Sequence, residues 1–303
     1  MTVADTYPAC SQCGQATVLA FRTTDRNQRL SEAWFAYYRC LSCETIGLFP
    51  VPEDLGRYYK TDYPAYRLND FPERKAQERC KVDLLLPHVR SGRLLEIGPS
   101  SGAFAKAAQE AGFEVQAIEM DRDCCDYLTH TLGIPTQHSN DPCSAIPTDA
   151  AFDVVALWHV IEHLIDPWTT LARLAEALRP GGVLAVSAPN PRSLQFRLFR
   201  GRWVHVDAPR HLWLIPLPVL TERLAKHGLV RIGATTTDPI GLQLNVMGWK
   251  QSLTECATTP FLRTALRKSG RVVAMATTLL ERNLTLGAAY TAIYRKQDAQ
   301  PDG

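Results

Sequence analysis

An α/β fold is predicted for most of this sequence, built on a mainly parallel, Rossmann-like sheet with helices on both faces. Three observations predict it. From Arg93 onward, short apolar runs of strand length alternate with runs of helix length, a pattern that implies crossover connections. A glycine-bearing loop joins the first of these strands to the first helix. The 303 residues are 46% hydrophobic and 21% charged, ordinary values for a folded globular chain. That length suits one large domain with an appendage.

Residues 1–56 form a compositional unit holding Cys10, Cys13, Cys40 and Cys43, with Pro50 and Pro52 at its exit. Residues 57–90 read as a helical linker or cap. There Tyr58, Tyr59, Tyr63 and Tyr66 lead into an amphipathic stretch, Glu73 to Leu86, closed by Pro87. The α/β domain occupies 91–296, with insertions at 191–216 and 241–285. Leu94 to Ile97 reads as a buried strand ending at Gly98, and Ala103 to Ala111 as an alanine-rich helix stopped by Gly112. Glu114 to Glu119 is a second strand, Asp123 to Thr131 a helix, Pro135 to His138 a weak third strand, and Phe152 to Trp158 a fourth. Pro167 to Leu178 is a helix with proline in its first turn and Arg179-Pro180-Gly181-Gly182 as its stop. Val183 to Ala188 is a fifth strand. Leu217 to His227 is a helix ended by Gly228, followed by a strand from Leu229 to Thr235. Phe261 to Leu284 is mostly helical, and Ala288 to Tyr294 is a last strand.

Thirty-three Lys and Arg oppose 31 Asp and Glu, a net charge of +2. That balance argues against a polyanion-coating protein, so nucleic acid is not the expected partner. No apolar stretch reaches the roughly 18 residues of a spanning helix. The best candidate, Val272 to Ile293, is broken by Glu281, Arg282 and Asn283. The first cation is Arg22 with no long apolar stretch before it, so no signal peptide is expected. The expected location is cytoplasmic. There the nine cysteines call for metal binding or burial rather than disulfides.

Cys10-x-x-Cys13 and Cys40-x-x-Cys43 are separated by 26 residues. Two such pairs suit one tetrahedral zinc held by four thiolates. A redox pair belongs at a helix start beside a βαβ unit, which neither pair occupies. Structural zinc is therefore the expectation.

Small residues in the loop Gly98-Pro99-Ser100-Ser101-Gly102 let the backbone pass close to a ligand, and the following helix offers free N–H groups. Glu119 closes the second strand, 21 residues after Gly98, where a carboxylate can accept both hydroxyls of a ribose. Together they point to a nucleoside cofactor. A dinucleotide fingerprint needs glycine where Ser100 and Ala103 stand. The order acid-x-Gly-x-small-x-Gly from Glu96 instead resembles motif I of the class I S-adenosylmethionine-dependent methyltransferases. The likeness continues through Phe152 to Val155, Trp158 to Leu164, Asp166-Pro167, and Leu178 to Gly182, over residues 90 to 240. The cysteine pairs, the Tyr58-Tyr59 to Tyr63 stretch and the segment Trp203 to His211 resemble the zinc-ribbon-bearing branch of that superfamily.

The resemblance implies a seven-stranded sheet with an antiparallel last strand, and methyl transfer from S-adenosylmethionine to a small-molecule acceptor. It implies that Glu96, Gly98, Ser100 and Gly102 line the methionine end of the donor. Glu119 would hold the ribose and Met120 would lie beside the adenine. Trp158, closing the fourth strand, is counted with these cofactor residues. Ser139, Asn140 and Asp141 are candidates for the adenine edge.

His159-Val160-Ile161-Glu162-His163 matches an inverted zinc-protease motif. Here it directly follows a buried strand and Asp166-Pro167 ends it, so protease chemistry is not expected. At this place His159, Glu162 and His163 can share one helical face. With a histidine after the fifth strand, the arrangement resembles the divalent-metal site of ubiquinone-pathway and small-RNA O-methyltransferases, with His159 in place of the first Glu. The expected role of Glu162 and His163 is nevertheless to anchor the turn by hydrogen bonds. Trp203, His205, Asp207, Arg210 and His211 are expected to cover the same edge, and His159, His163 and His211 are the candidate catalytic bases.

Arg192, Phe196, Arg197, Phe199, Arg200, Arg202 and Trp203 interleave cations with aromatics, and Arg263, Arg267, Lys268 and Arg271 add a second basic cluster. With so small a net charge, these favour a small anionic acceptor, such as a sugar, glycan precursor or secondary metabolite, over long RNA. The rival readings are a nicotinamide-dependent oxidoreductase and a non-catalytic zinc-ribbon module that binds nucleic acid. A cofactor-binding titration separates all three.

Overall fold

The structure, a computed structural model, describes residues 8–11, 13–59, 71–147, 151–283 and 285–298. Tyr63 and Tyr66 of the tyrosine stretch lie outside these residues. The amino-terminal unit contributes β1 (Thr17–Thr23), β2 (Phe35–Cys40) and β3 (Ile46–Leu48). Then α1 (Phe71–Leu85) leads into β4 (Gly92–Ile97), α2 (Ala103–Glu110), β5 (Phe113–Glu119), α3 (Arg122–Asp126) and β6 (Thr136–His138). The short α4 (Pro142–Ala145) precedes β7 (Phe152–Trp158), α5 (Pro167–Ala177) and β8 (Leu178–Pro189). After them come α6 (Leu194–Phe199), β9 (Trp213–Leu214), α7 (Leu217–Ala225) and β10 (Leu229–Thr235). Two helices, α8 (Pro239–Thr254) and α9 (Pro260–Asn283), precede the last strand, β11 (Ala289–Lys296).

The large sheet has seven strands in the order β10-β11-β8-β7-β4-β5-β6. Its central pairs are parallel, and β11 runs antiparallel to both neighbours. Strands with both faces covered are apolar throughout, as Val154 to Leu157 are, all fully buried. One face packs with α5 and α7 through residues such as Leu171, Leu174 and Leu220. The other packs with α1 and α2 through Val82, Phe104 and Ala108. The carboxyl ends of β7, β4 and β5 lie side by side, where ligands of such sheets bind.

Alternating burial along β2 marks a half-buried antiparallel strand. The small sheet has the order β1-β2-β3-β9. Its fourth strand comes from the segment after β8, so the amino-terminal unit is joined to the large domain by β3–β9 hydrogen bonds. A third core cluster unites Tyr37 and Leu48 of this unit with Phe196, Trp203 and Trp249.

Two expectations for the elements are corrected. Arg179 to Gly182 does not separate helix from strand, because β8 already begins at Leu178, which is extended and pairs with Phe152. Gly182 fits there because a Cβ would stand 3.1 Å from the Phe152 carbonyl oxygen. The segment His159 to His163 is not a helical face. His159 takes a left-handed conformation with φ 59°, and only Ile161–His163 forms one helical turn.

Candidate active site

The loop after β4 is built on alternating left-handed residues. Gly98, Ser100 and Gly102 have φ of 66°, 55° and 75°. Gly98 and Gly102 are further required by packing: a Cβ would meet Val160 at 2.8 Å in the first case and Leu128 at 2.4 Å in the second. Ser100 adopts the same geometry as its neighbours despite its Cβ, a conformation that costs a non-glycine residue about 1 kcal/mol or more. Its N–H is 2.8 Å from Glu119 Oε2, which joins the loop to the end of β5.

Glu119 also accepts from the N–H groups of Met120 and Asp121, at 2.7 and 2.9 Å. Burial pushes its carboxyl upward, against the pull of those N–H groups. Met120 beside it is exposed. Ser139 to Asp141 follow β6 on the same edge, with the Ser139 N–H donating to the Glu119 carbonyl at 2.9 Å. Glu96 is buried beneath the loop, and one carboxylate oxygen has no hydrogen-bond partner among the described residues. Burial, only partly offset by Lys81, pushes its pKa up to about 8. Trp158 packs inward. Its ring centroid is 5.1 Å from that of Phe104, Lys81 lies over it at 5.0 Å, and its indole N–H has no partner among the described residues.

Beyond β7 the chain brings histidines together. The His163 and His211 rings stand 4.6 Å apart, edge to face. His163 Nδ1 is 3.1 Å from the Arg210 carbonyl and 2.8 Å from the Tyr59 hydroxyl, which also donates to that carbonyl. His211 Nδ1 is 2.9 Å from the His205 carbonyl. A carbonyl only accepts, so Nδ1 carries the proton in both rings and Nε2 keeps its lone pair. Burial lowers the His163 pKa to about 4. Ligand atoms of Glu162, His163 and His211 all lie within 4.8 Å of one another.

Hydrogen-bond anchoring holds for His163 and fails for Glu162. The Glu162 carboxylate is 1% exposed, and neither oxygen has a hydrogen-bond partner among the described residues. His159 Nδ1 comes within 3.4 Å of it, an ion-pair distance. Burial raises the Glu162 pKa, but His159 beside it outweighs burial and holds it below the usual carboxylate range. His159 reaches Glu162 but lies outside the cluster.

The segment Trp203 to His211 covers this edge as expected, with the Leu212 N–H donating to the Glu162 carbonyl at 2.7 Å. Arg210 is fully buried. It pairs with Asp25 of the amino-terminal unit at 2.7 Å and with Asp207 through two bonds of 2.8 and 2.9 Å. Asp207 is held down to about 2, burial opposing and Arg210 prevailing. Asp207 also lines a cleft of about 660 Å³ with Arg26, Arg29, Arg202, Arg263 and Arg267. Phe196, Phe199 and Trp203, read in the sequence as interleaved with cations, are buried in the third core cluster, so no base can stack on them.

Sequence reasoning gave Tyr59 no role and Arg210 only a place in the segment that covers the edge. The repeated tyrosines and the Pro-Arg-His order were their only signals, because His163, the partner of Tyr59, and Asp25, the partner of Arg210, lie more than 100 residues away.

The four cysteines converge. Cys10 and Cys43 sulfurs are 3.7 Å apart, Cys13 and Cys40 sulfurs 3.4 Å, and all four lie within 4.8 Å of one another. A tetrahedral Zn–S₄ centre needs sulfur separations of about 3.8 Å. The N–H groups of Ser42 and Cys43 point at Cys40 Sγ from 3.4 Å, as a knuckle turn requires.

The seven-stranded sheet, its glycine loop and its strand-edge carboxylates define a class I, S-adenosylmethionine-dependent methyltransferase. Residues 72–232 match the family described as a methyltransferase domain. The chain belongs to that family. It is 29% identical over 208 residues to a ubiquinone biosynthesis O-methyltransferase of Cereibacter sphaeroides, covering 63% of this chain and 81% of that protein. In fold it is similar to an S-adenosylmethionine-dependent methyltransferase from Archaeoglobus fulgidus, with a TM-score of 0.51 and 18% identity over 80% of this chain and 100% of that one. A second fold neighbour is the Burkholderia thailandensis 1,6-didemethyltoxoflavin-N1-methyltransferase, solved with S-adenosylhomocysteine. Its TM-score is 0.50 at 16% identity, over 85% of this chain and 98% of that one.

Proposed function

We propose that this enzyme, acting in the cytoplasm, methylates a hydroxyl of a small anionic acceptor, such as a sugar, glycan precursor or secondary metabolite. One observation carries the reading: His163 and His211 converge beyond β7, and Asp207, 4.0 Å from His211 Nε2, also lines the cation-rich cleft. The relatives named as O-methyltransferases support oxygen as the acceptor atom. The cleft cations would hold the acceptor's anionic part, and His205 and Trp203 fix the covering segment around it.

For the donor, Glu96, Gly98, Ser100 and Gly102 line the methionine end. The unpartnered Glu96 oxygen suits the donor's ammonium group. Glu119 holds the ribose, Met120 lies against the adenine, and Trp158 forms the floor beneath. The acceptor oxygen attacks the sulfonium methyl in line. The new C–O bond forms as the S–C bond breaks, and the sulfur keeps the electron pair. His211 or His163 takes the acceptor's proton on Nε2, while His159 keeps Glu162 ionised beside them. The site's main work is alignment and exclusion of water. In the amino-terminal unit, Cys10, Cys13, Cys40 and Cys43 hold a structural zinc.

The test is turnover against donor affinity. His163→Ala or His211→Ala should lose about 100-fold in turnover, while donor affinity changes by less than about threefold. If both variants keep normal turnover on the true acceptor, the assignment of the base is wrong.

The unpaired Glu162 carboxylate favours a second reading. Glu162, His163 and His211 offer one carboxylate and two imidazole nitrogens, a donor set that suits a divalent cation with an open position. Such a cation would make the acceptor hydroxyl more acidic. Turnover lost under a mild chelator that leaves the ribbon metal in place, and restored by one divalent cation, selects this reading. Turnover indifferent to the chelator eliminates it.

A further inference from the structure

The two faces of α9 meet opposite surroundings. Its inner face is seated on α8. A Cβ on Gly270 would stand 2.6 Å from Lys250 Cα, and buried Glu281 accepts from Asn245 and Trp249. On its outer face Phe261, Val272, Met275, Leu279 and Leu280 are 85, 67, 72, 71 and 56% exposed. At 100° per residue, positions 261, 265, 268, 272, 275, 276 and 279 all fall within about 60° of one line. The ridge they form is about 27 Å long, and nothing among the described residues covers it.

The charge on the helix says what does. Arg263, Arg267, Lys268, Arg271 and Arg282 lie on α9, and its one acid, Glu281, is buried. Arg263 and Arg267 turn toward the cleft, where Arg263 stands 3.7 Å from Glu255, so the charges that flank the ridge are Lys268, Arg271 and Arg282, all positive. A second copy of the same face would set cations against cations. Among the described residues no helix is long and apolar enough to cross a membrane, and four of the five cations sit in the first half of α9.

We propose that α9 is an interfacial anchor that lies flat on an anionic lipid surface. Its ridge enters the boundary between headgroups and acyl chains, and Lys268, Arg271 and Arg282 meet the lipid phosphates. Lys268, within the ridge, reaches the headgroups along its flexible stem. Binding of this kind combines buried apolar area with attraction to anionic lipid. The proposal is independent of the catalytic histidines, and it leaves Arg263 and Arg267 to the cleft proposed for the acceptor.

Flotation of the full chain with phosphatidylcholine vesicles, with and without phosphatidylglycerol, tests it. The protein should float with the anionic vesicles only, and less so as salt is added. Lys268→Gln/Arg271→Gln should weaken partition about fivefold per cation removed. Met275→Glu/Leu279→Glu should abolish it while leaving donor affinity and Tm unchanged, since both side chains lie outside the core. A Phe261→Trp reporter should shift its emission to the blue on vesicle addition. Failure to float with anionic vesicles at low salt overturns the proposal, as does wild-type flotation of Met275→Glu/Leu279→Glu. A dimer that this variant breaks, without vesicle binding, assigns the ridge to a second copy instead.

Discussion

Glu119 ends β5 with three backbone N–H groups already directed at its carboxylate. The same group therefore shapes the glycine loop and faces the place where the ribose is proposed to bind. Two hydrogen bonds from a ribose to a charged acceptor are worth about 1.5–3 kcal/mol each. Glu119→Ala should weaken S-adenosylmethionine binding on the order of 100-fold, measured by calorimetry. Unchanged affinity would remove Glu119 from the ribose site. The position of this residue was legible in the sequence, because a strand–helix–strand unit fixes where its acid lies. The state of Glu162 was not. Sequence spacing offered hydrogen bonds for that carboxylate, and the left-handed turn at His159 withdrew them.

At the scale of elements, the amino-terminal unit and the 191–216 insertion depend on each other. β9 completes the small sheet, and Arg210 bridges Asp25 to Asp207 in full burial. Arg210→Ala strands two buried carboxylates, a change that costs about 3–5 kcal/mol. Urea unfolding should read this loss; a loss below about 1 kcal/mol would show that the network carries little stability. Cys40→Ser/Cys43→Ser should release about one equivalent of zinc. Metal analysis checks that, and full zinc retention refutes the ribbon assignment. The β3–β9 pairing implies that hydrogen exchange will then rise at Trp213 and Leu214 as well as in β1 to β3. The strands of the large sheet were readable because buried parallel strands are apolar without interruption. β9 was not, because two residues carry no periodicity.

For the molecule as a whole, the buried titrating groups set opposite trends with pH. Burial lowers His163 and His205 to about 4, from an ordinary 6.5. Their contribution to stability is complete above pH 6.5 and is lost as pH falls through 4. Glu96, raised to about 8 from 4.5, contributes stability in full below 4.5 and loses it as pH rises through 8. Above pH 6.5 the histidine contribution is complete while the loss at Glu96 continues toward pH 8. Tm of the donor-free protein should therefore fall between pH 6.5 and 8. Glu96→Gln should abolish the fall between pH 6.5 and 8; a fall of the same size in that variant would assign it to another group.

By itself the sequence determined the α/β class, the strand–helix alternation, the cysteine pairs and the loop-plus-acid of the donor site. Each of these is a local pattern, fixed by periodicity or by spacing within a few tens of residues. Only the tertiary structure decided that Asp25 meets Arg210, that Tyr59 holds His163, and that the cations at Arg26, Arg202 and Arg267 share one cleft. It also decided that Phe196 and Trp203 are core while Phe261 and Met275 are surface. Such contacts join residues far apart in the chain, and which face of a helix is buried depends on what the fold lays against it.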